Sequence, residues 1–124
     1  MATKNELFGS IGERLVEIEL LKRNIDCWQL AGNNPYFDLV VDVKGSLRKV
    51  QVKTANPNKK GKFNYFLKNS AGYYDYLVLV AIEENNKLMF YVIPSSVVAD
   101  NTSITLGEYT KKYERFLENW DLLK

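Results

Sequence analysis

Asp38, Gln51 and Lys53 are the residues of this sequence whose types and spacing can do chemistry together. They lie in FDLVVDVKGSLRKVQVKT, from Phe37 to Thr54, which reads as two strands joined by a turn. Residues two apart on a strand share a face, so Gln51 and Lys53 point together while Val50 and Val52 point the other way. In the preceding strand Asp38 and Val40 share one face and Leu39, Val41 and Val43 the other. Antiparallel pairing can set Asp38 beside Gln51. A carboxylate and an amide oxygen next to an ammonium can hold a hard divalent cation such as Mg²⁺. Such a cation polarises a phosphodiester and lowers the pKa of a bound water. Lys53 can orient that water or balance charge building on the phosphate. Asp42 shares a face with Asp38 but lies about 13 Å along the strand, outside this group.

Composition excludes much else. The chain has 124 residues and no His, which removes imidazole–zinc sites, His general bases and Ser-His-Asp triads. Cys27 is alone, so no disulfide framework or thiolate zinc site is expected; its expected role is a small buried apolar residue. Any catalysis falls to carboxylates, Lys, Tyr or a metal held by oxygen. The N-terminus lacks a basic start before a long apolar run, and runs such as Tyr76 to Ile82 are too short to span a membrane. An intracellular, membrane-free protein is expected. With no repeats or linker, residues 1–124 read as one α/β domain.

Charge is uneven. From Val43 to Tyr74 the sequence has no acid but carries Lys44, Arg48, Lys49, Lys53, Lys59, Lys60, Lys62 and Lys68. That stretch is +8 in a chain of net +2, so the remainder is −6. An acid-free run beside polar strand residues suits a polyanion such as nucleic acid.

The elements that must position these groups follow from pattern. Thr3 to Glu6 fits a capping box, with a helix expected to about Arg23 and an apolar stripe at Phe8, Ile11, Leu15 and Ile18. Glu13 lies instead in a second stripe, with Gly9, Val16 and Leu20. Helical geometry leaves it either a surface Glu over small neighbours or a partly buried carboxylate needing a partner. Strands are expected at Ile25–Leu30, Tyr36–Val43, Val50–Thr54, Phe63–Leu67, Tyr76–Ile82 and Lys87–Ile93. Ala31 to Pro35 and Asn56 to Lys62 read as breaker-rich loops, and Asn69 to Asp75 as a short helix or turn. Thr105 to Glu108 fits a second capping box. The helix expected after it stacks Leu106, Tyr109, Tyr113, Phe116, Leu117, Trp120 and Leu123 on one stripe.

Glu13 in a first helix, then Asp38, then Gln51-Val52-Lys53 on the next strand, resembles the PD-(D/E)xK nuclease superfamily. Within it the Gln-x-Lys form is similar to the small group I intron-encoded homing endonucleases. The resemblance implies a restriction-endonuclease-like αβββαβ core, a mixed central sheet flanked by helices. It implies that Asp38, Gln51, Glu13 and the backbone carbonyl of Val52 hold Mg²⁺, with Mn²⁺ able to substitute, and that Lys53 serves catalysis. Two positions depart from the pattern. Pro35 does not directly precede Asp38, and Gln51 stands at the acid position, bringing an oxygen without charge.

The resulting expectation is a metal-dependent endonuclease acting on double-stranded DNA. Lys44, Arg48, Lys49, Lys59, Lys60 and Lys62 would contact phosphates. Cutting both strands with one site per chain implies at least a homodimer, and the resemblance to the homing endonucleases implies a homotetramer. A Holliday-junction resolvase, a restriction-type nuclease, or an inactive DNA-binding protein on a degenerate nuclease fold are the alternatives.

Overall fold

The computed structural model describes residues 2–30, 36–67, 71–107 and 110–124. Its first element, α1, is Lys4–Lys22 and opens on the expected capping box. The Glu6 N–H donates to the Thr3 hydroxyl at 3.1 Å, and the Thr3 N–H donates to the Glu6 carboxylate at 3.4 Å. These bonds satisfy donors that a helix start otherwise leaves orphaned.

The buried side of α1 is not the stripe of Phe8, Ile11, Leu15 and Ile18. Gly12, Val16 and Leu20 are buried, whereas Ile11 and Ile18 are each 51% exposed. The reason is close approach. A Cβ on Gly12 would overlap the Thr54 hydroxyl, so only this face of the helix can lie so near the sheet.

A five-stranded sheet carries the fold. Its strands are β1 (Cys27–Gln29), β2 (Leu39–Val43), β3 (Ser46–Ala55), β5 (Tyr76–Ile82) and β6 (Leu88–Pro94). They run in the spatial order β1-β2-β3-β5-β6. Only β3 and β5 pair in parallel. The β2–β3 hairpin turns through Lys44 and Gly45, both at positive φ, and the Gly45 N–H donates to Asp42 Oδ1 at 2.7 Å. Asp42 therefore serves the turn. A parallel pair needs a crossover, supplied here by β4 (Phe63–Phe66) and a 3-10 turn at Ala71–Tyr73. That turn stands where the αβββαβ order has its second helix. The loop expected at Ala31 to Pro35, with Pro35 itself, lies outside the described residues, as do Lys68, Asn69 and Ser70.

The two faces of β5 build two cores. Val78 and Val80 join Leu39, Val41, Val50 and Val52 beneath Val16 and Leu20 of α1. Leu77, Leu79 and Ala81 join Phe63, Tyr65, Ile104 and Leu106 on the other side. The continuous apolar run of β5 is thus buried on both faces.

The expected C-terminal helix is overturned. Ser103–Leu106 forms β7, paired antiparallel with β4, and the chain then makes 3-10 turns at Glu114–Phe116 and Trp120–Leu123. Tyr109 and Glu108 lie outside the described residues. Leu106, Tyr113 and Phe116 are buried on the β4–β7 side, but Trp120 and Leu123 are buried on the α1 side. One straight helix cannot bury a stripe on both faces of a sheet. The segment instead crosses the edge at β6, where Leu117 bridges Tyr91 and the Glu118 N–H donates to the Phe90 carbonyl at 2.7 Å. Among the described residues, no helix is long and apolar enough to cross a membrane.

Candidate active site

Asp38 sits one residue before β2 and is latched to β3. Its N–H donates to the Val50 carbonyl at 2.8 Å, and its Oδ2 accepts from the Val52 N–H at 2.8 Å. The same Oδ2 accepts from Gln51 Nε2 at 2.7 Å. The pairing expected from strand alternation is therefore present. Burial pushes the Asp38 carboxyl above its usual range, against the opposing pull of the Val52 N–H and the Lys53 charge.

Gln51 is only 7% exposed, the one polar side chain in the buried class among the described residues. Its Nε2 also approaches the Val52 carbonyl at 3.3 Å. Two oxygens of the expected cation set, one from Asp38 and one from Val52, thus converge on one amide nitrogen. The amide oxygen Oε1 is buried with no hydrogen-bond partner. An unsatisfied buried acceptor costs about 1–3 kcal/mol. Turning the amide over aims Oε1 at the gap between the Asp38 and Val52 oxygens. The donor set fits a hard cation on that observation.

Lys53 is half-buried and two residues from Gln51, on the same face of β3. Glu13 reaches the group from α1. Its carboxyl is raised from 4.5 to about 7, first by burial and then by the Asp38 charge, with Arg14 opposing and Glu17 adding. Of the two readings open to Glu13, the partly buried carboxylate is the one found. Its field links it to Asp38. Among the described residues no cluster of three His, Cys, Asp or Glu side chains could hold a metal; the site mixes carboxylate, amide and backbone oxygens instead. Cys27 is half-buried and burial raises its thiol pKa, as befits a packing residue rather than a nucleophile.

The basic residues divide into two groups. Lys44, Arg48 and Lys49 lie at the hairpin end of β3, and Lys59, Lys60 and Lys62 in the loop beyond its other end. All six are exposed, and none forms an ion pair among the described residues. Six residues of β3, Val50 to Ala55, follow Lys49 before that loop begins, about 20 Å of strand. Lys49 shares the face of Gln51 and Lys53; Arg48 faces the other way.

Two further features lie beside these residues. Gly12 sets how close α1 lies to β3, and so where the neighbouring Glu13 sits. A glycine inside a strong helix pattern was the available sign of it. Tyr36, two residues before Asp38, stacks on Tyr73 with ring centroids 3.9 Å apart and planes at 20°. That pairing joins residues far apart in the chain and leaves no local mark.

A mixed sheet that brings an Asp, a Gln-x-Lys strand and a helix Glu to one corner defines a nuclease-type α/β protein. The profile of the PD-(D/E)XK endonuclease family matches residues 1–120, and the chain belongs to that family. The solved structure of I-Ssp6803I, a bacterial homing endonuclease, matches with TM-score 0.78 and 26% identity over 97% of this chain and 93% of that one. Hjc, a Holliday junction resolvase from Archaeoglobus fulgidus, matches with TM-score 0.60 and 16% identity over 94% of this chain and 100% of that one. The second likeness is one of fold. No curated protein matches the sequence.

Proposed function

We propose that this endonuclease hydrolyses double-stranded DNA at the corner formed by Glu13, Asp38, Gln51 and Lys53, using Mg²⁺ or, in its place, Mn²⁺. The observation that carries the reading is the convergence of the Asp38 Oδ2 and Val52 carbonyl oxygens on the Gln51 amide, whose own oxygen is orphaned. A bound divalent cation supplies a polarised phosphate and an acidified water. Asp38, the Val52 carbonyl and the Gln51 oxygen hold it, and Glu13 adds the second carboxylate. Held near the Asp38 carboxylate, the Lys53 ammonium balances charge on the scissile phosphate or orients the attacking water. Lys44, Arg48, Lys49, Lys59, Lys60 and Lys62 grip phosphates on either side of the cut and fix the duplex. The likeness to I-Ssp6803I favours a homing-type target.

One observation favours a second reading, DNA binding without cleavage. Asp38 is already satisfied by Gln51 and Val52, and Gln51 brings no charge to a cation. The same experiment separates the two: plasmid and four-way-junction DNA incubated with excess protein and Mn²⁺, beside Lys53→Ala. Nicking that falls at least about 100-fold in Lys53→Ala supports the nuclease. DNA retained by both proteins and cut by neither supports the binding protein. Cutting undiminished in Lys53→Ala removes the catalysis from this corner.

A further inference from the structure

Tyr36 and Tyr73 stack close to the catalytic corner, and both rings are open to solvent. Tyr36 is 41% exposed and Tyr73 52%. Rings that served only to pin the crossover to the sheet would be buried, and other groups already pin it. The next residue, Tyr74, is 4% exposed and packs in the core with Leu77 and Leu79. Asp75 is tied to β3 twice. Its N–H donates to the Lys49 carbonyl and its Oδ2 accepts from the Lys49 N–H, each at 2.8 Å. On the β2 side, Phe37 is half-buried against the same core and Asp38 is latched to β3. The two tyrosines thus stand beside anchored neighbours, with aromatic surface left uncovered.

We propose that this pair is a stacking platform for one unpaired nucleobase of the DNA, next to the phosphate that is cut. The inference rests on the nuclease reading above and narrows its substrate to DNA with a base out of the helical stack. Three observations select a nucleobase as the occupant. The first is position. Tyr36 is two residues from Asp38, at most about 7 Å of chain, so a base on the pair belongs to a nucleotide close to the corner. The second is charge. Arg48 and Lys49 are exposed at this end of β3, and Lys49 Nζ lies 5.3 Å from the centroid of the Phe37 ring, beside Tyr36 in the chain. Cations interleaved with aromatic rings suit a strand that carries both phosphates and bases. The third is the surface itself. A tyrosine pair offers a flat face rimmed by hydroxyls, and every base has a face to lay on it. A paired base keeps its faces inside the duplex. The base must therefore leave the stack, which costs least where it is mismatched or unpaired.

The test uses two short duplexes of one sequence, one fully paired and one with a single unpaired 5-iodouracil at its centre. Ca²⁺ replaces Mg²⁺, so that binding is read without cutting. Fluorescence anisotropy should show the wild-type chain binding the bulged duplex about tenfold more tightly than the paired one, the effect of one stacked base. The preference should vanish when both rings are removed together, by Tyr36→Ala with Tyr73→Ala. It should survive in Tyr73→Trp, which keeps an aromatic face. Affinity for the paired duplex should be the same in all three proteins, with circular dichroism and thermal melting to check their folds. Irradiation should cross-link the iodouracil to Tyr36 or Tyr73 of the wild type, a readout that needs no variant.

Equal binding of both duplexes by the wild type overturns the platform and leaves the nuclease reading in place. So does a preference that persists in the double variant, or a cross-link confined to other residues. A wild type that binds neither duplex overturns the nuclease reading itself, and the platform with it.

Discussion

Gln51 and Asp38 are joined by a hydrogen bond of 2.7 Å from the amide nitrogen to carboxylate Oδ2. The amide thus turns its donor, not its oxygen, toward the acid. As oriented, the NH₂ group and not Oε1 lies toward the Asp38 and Val52 oxygens. For the proposed donor set to hold a cation, the amide would turn over, which would give the orphaned Oε1 a partner. The Gln51 side-chain amide signals are expected to shift on titration with Ca²⁺, an ion that tests binding without turnover. Gln51→Glu adds a charge to the donor set and should tighten Ca²⁺ binding by about tenfold or more, since site charge tunes such affinities. Calorimetric titration of the two proteins checks it; equal affinities would place the cation away from Gln51.

Glu13 gives the cation-free protein a pH dependence of stability. Its carboxyl titrates near 4.5 when unfolded and near 7 in the fold. Between those values the folded chain binds more protons than the unfolded one, so stability falls as pH rises. The penalty is absent below about 4.5 and complete above about 7. Thermal melts from pH 4 to 8 should show this decline in wild type and a flatter profile in Glu13→Gln. A saturating divalent cation should restore much of the loss at the upper end by neutralising the carboxylate pair. Parallel profiles for both proteins would mean that Glu13 is solvated.

Gly12→Ala should destabilise the protein although alanine is the better helix former. The added methyl meets the Thr54 hydroxyl and forces α1 off β3. Overpacking of this kind costs about 1–3 kcal/mol. Thr54→Ala in the same chain removes the hydroxyl and should recover part of the loss. Urea unfolding of the four-member mutant cycle measures the coupling. Additive effects would show that helix and strand do not touch through this pair.

The lysines beyond β3 are expected to act on affinity and not on chemistry. Replacing Lys59, Lys60 and Lys62 by Ala should weaken DNA binding without sequence preference. It should also lower the slope of log K against log salt by about 1 for each phosphate that is no longer neutralised. Fluorescence anisotropy at several salt concentrations reads the slope. An unchanged slope would remove this loop from the DNA path.

Much of the site is legible in the chain because it is local. Asp38 and Gln51 face each other across one hairpin, and alternation along a strand fixes which side chains share a face. The capping box of α1 and the apolar run of β5 are equally local and lie where pattern places them. The C-terminal stretch is the opposite case. Its aromatic spacing fits a helix, but Phe116 and Trp120 belong to different cores, and a sequence period cannot tell one buried stripe from two surfaces met in turn.

By itself the sequence determined which chemical groups are on offer: no imidazole, one Gln-x-Lys strand after an Asp, a helix Glu, and cations gathered without acids. Those are properties of residue type and near-neighbour spacing. Tertiary structure decided which face of α1 meets the sheet, because two apolar stripes compete and only the one bearing Gly12 can approach Thr54. It raised the pKa of Glu13, because burial and the field of Asp38 exist only once α1 is seated. It also decided that the Gln51 oxygen is left without a partner, because that depends on which atoms surround the amide after the chain has closed around it.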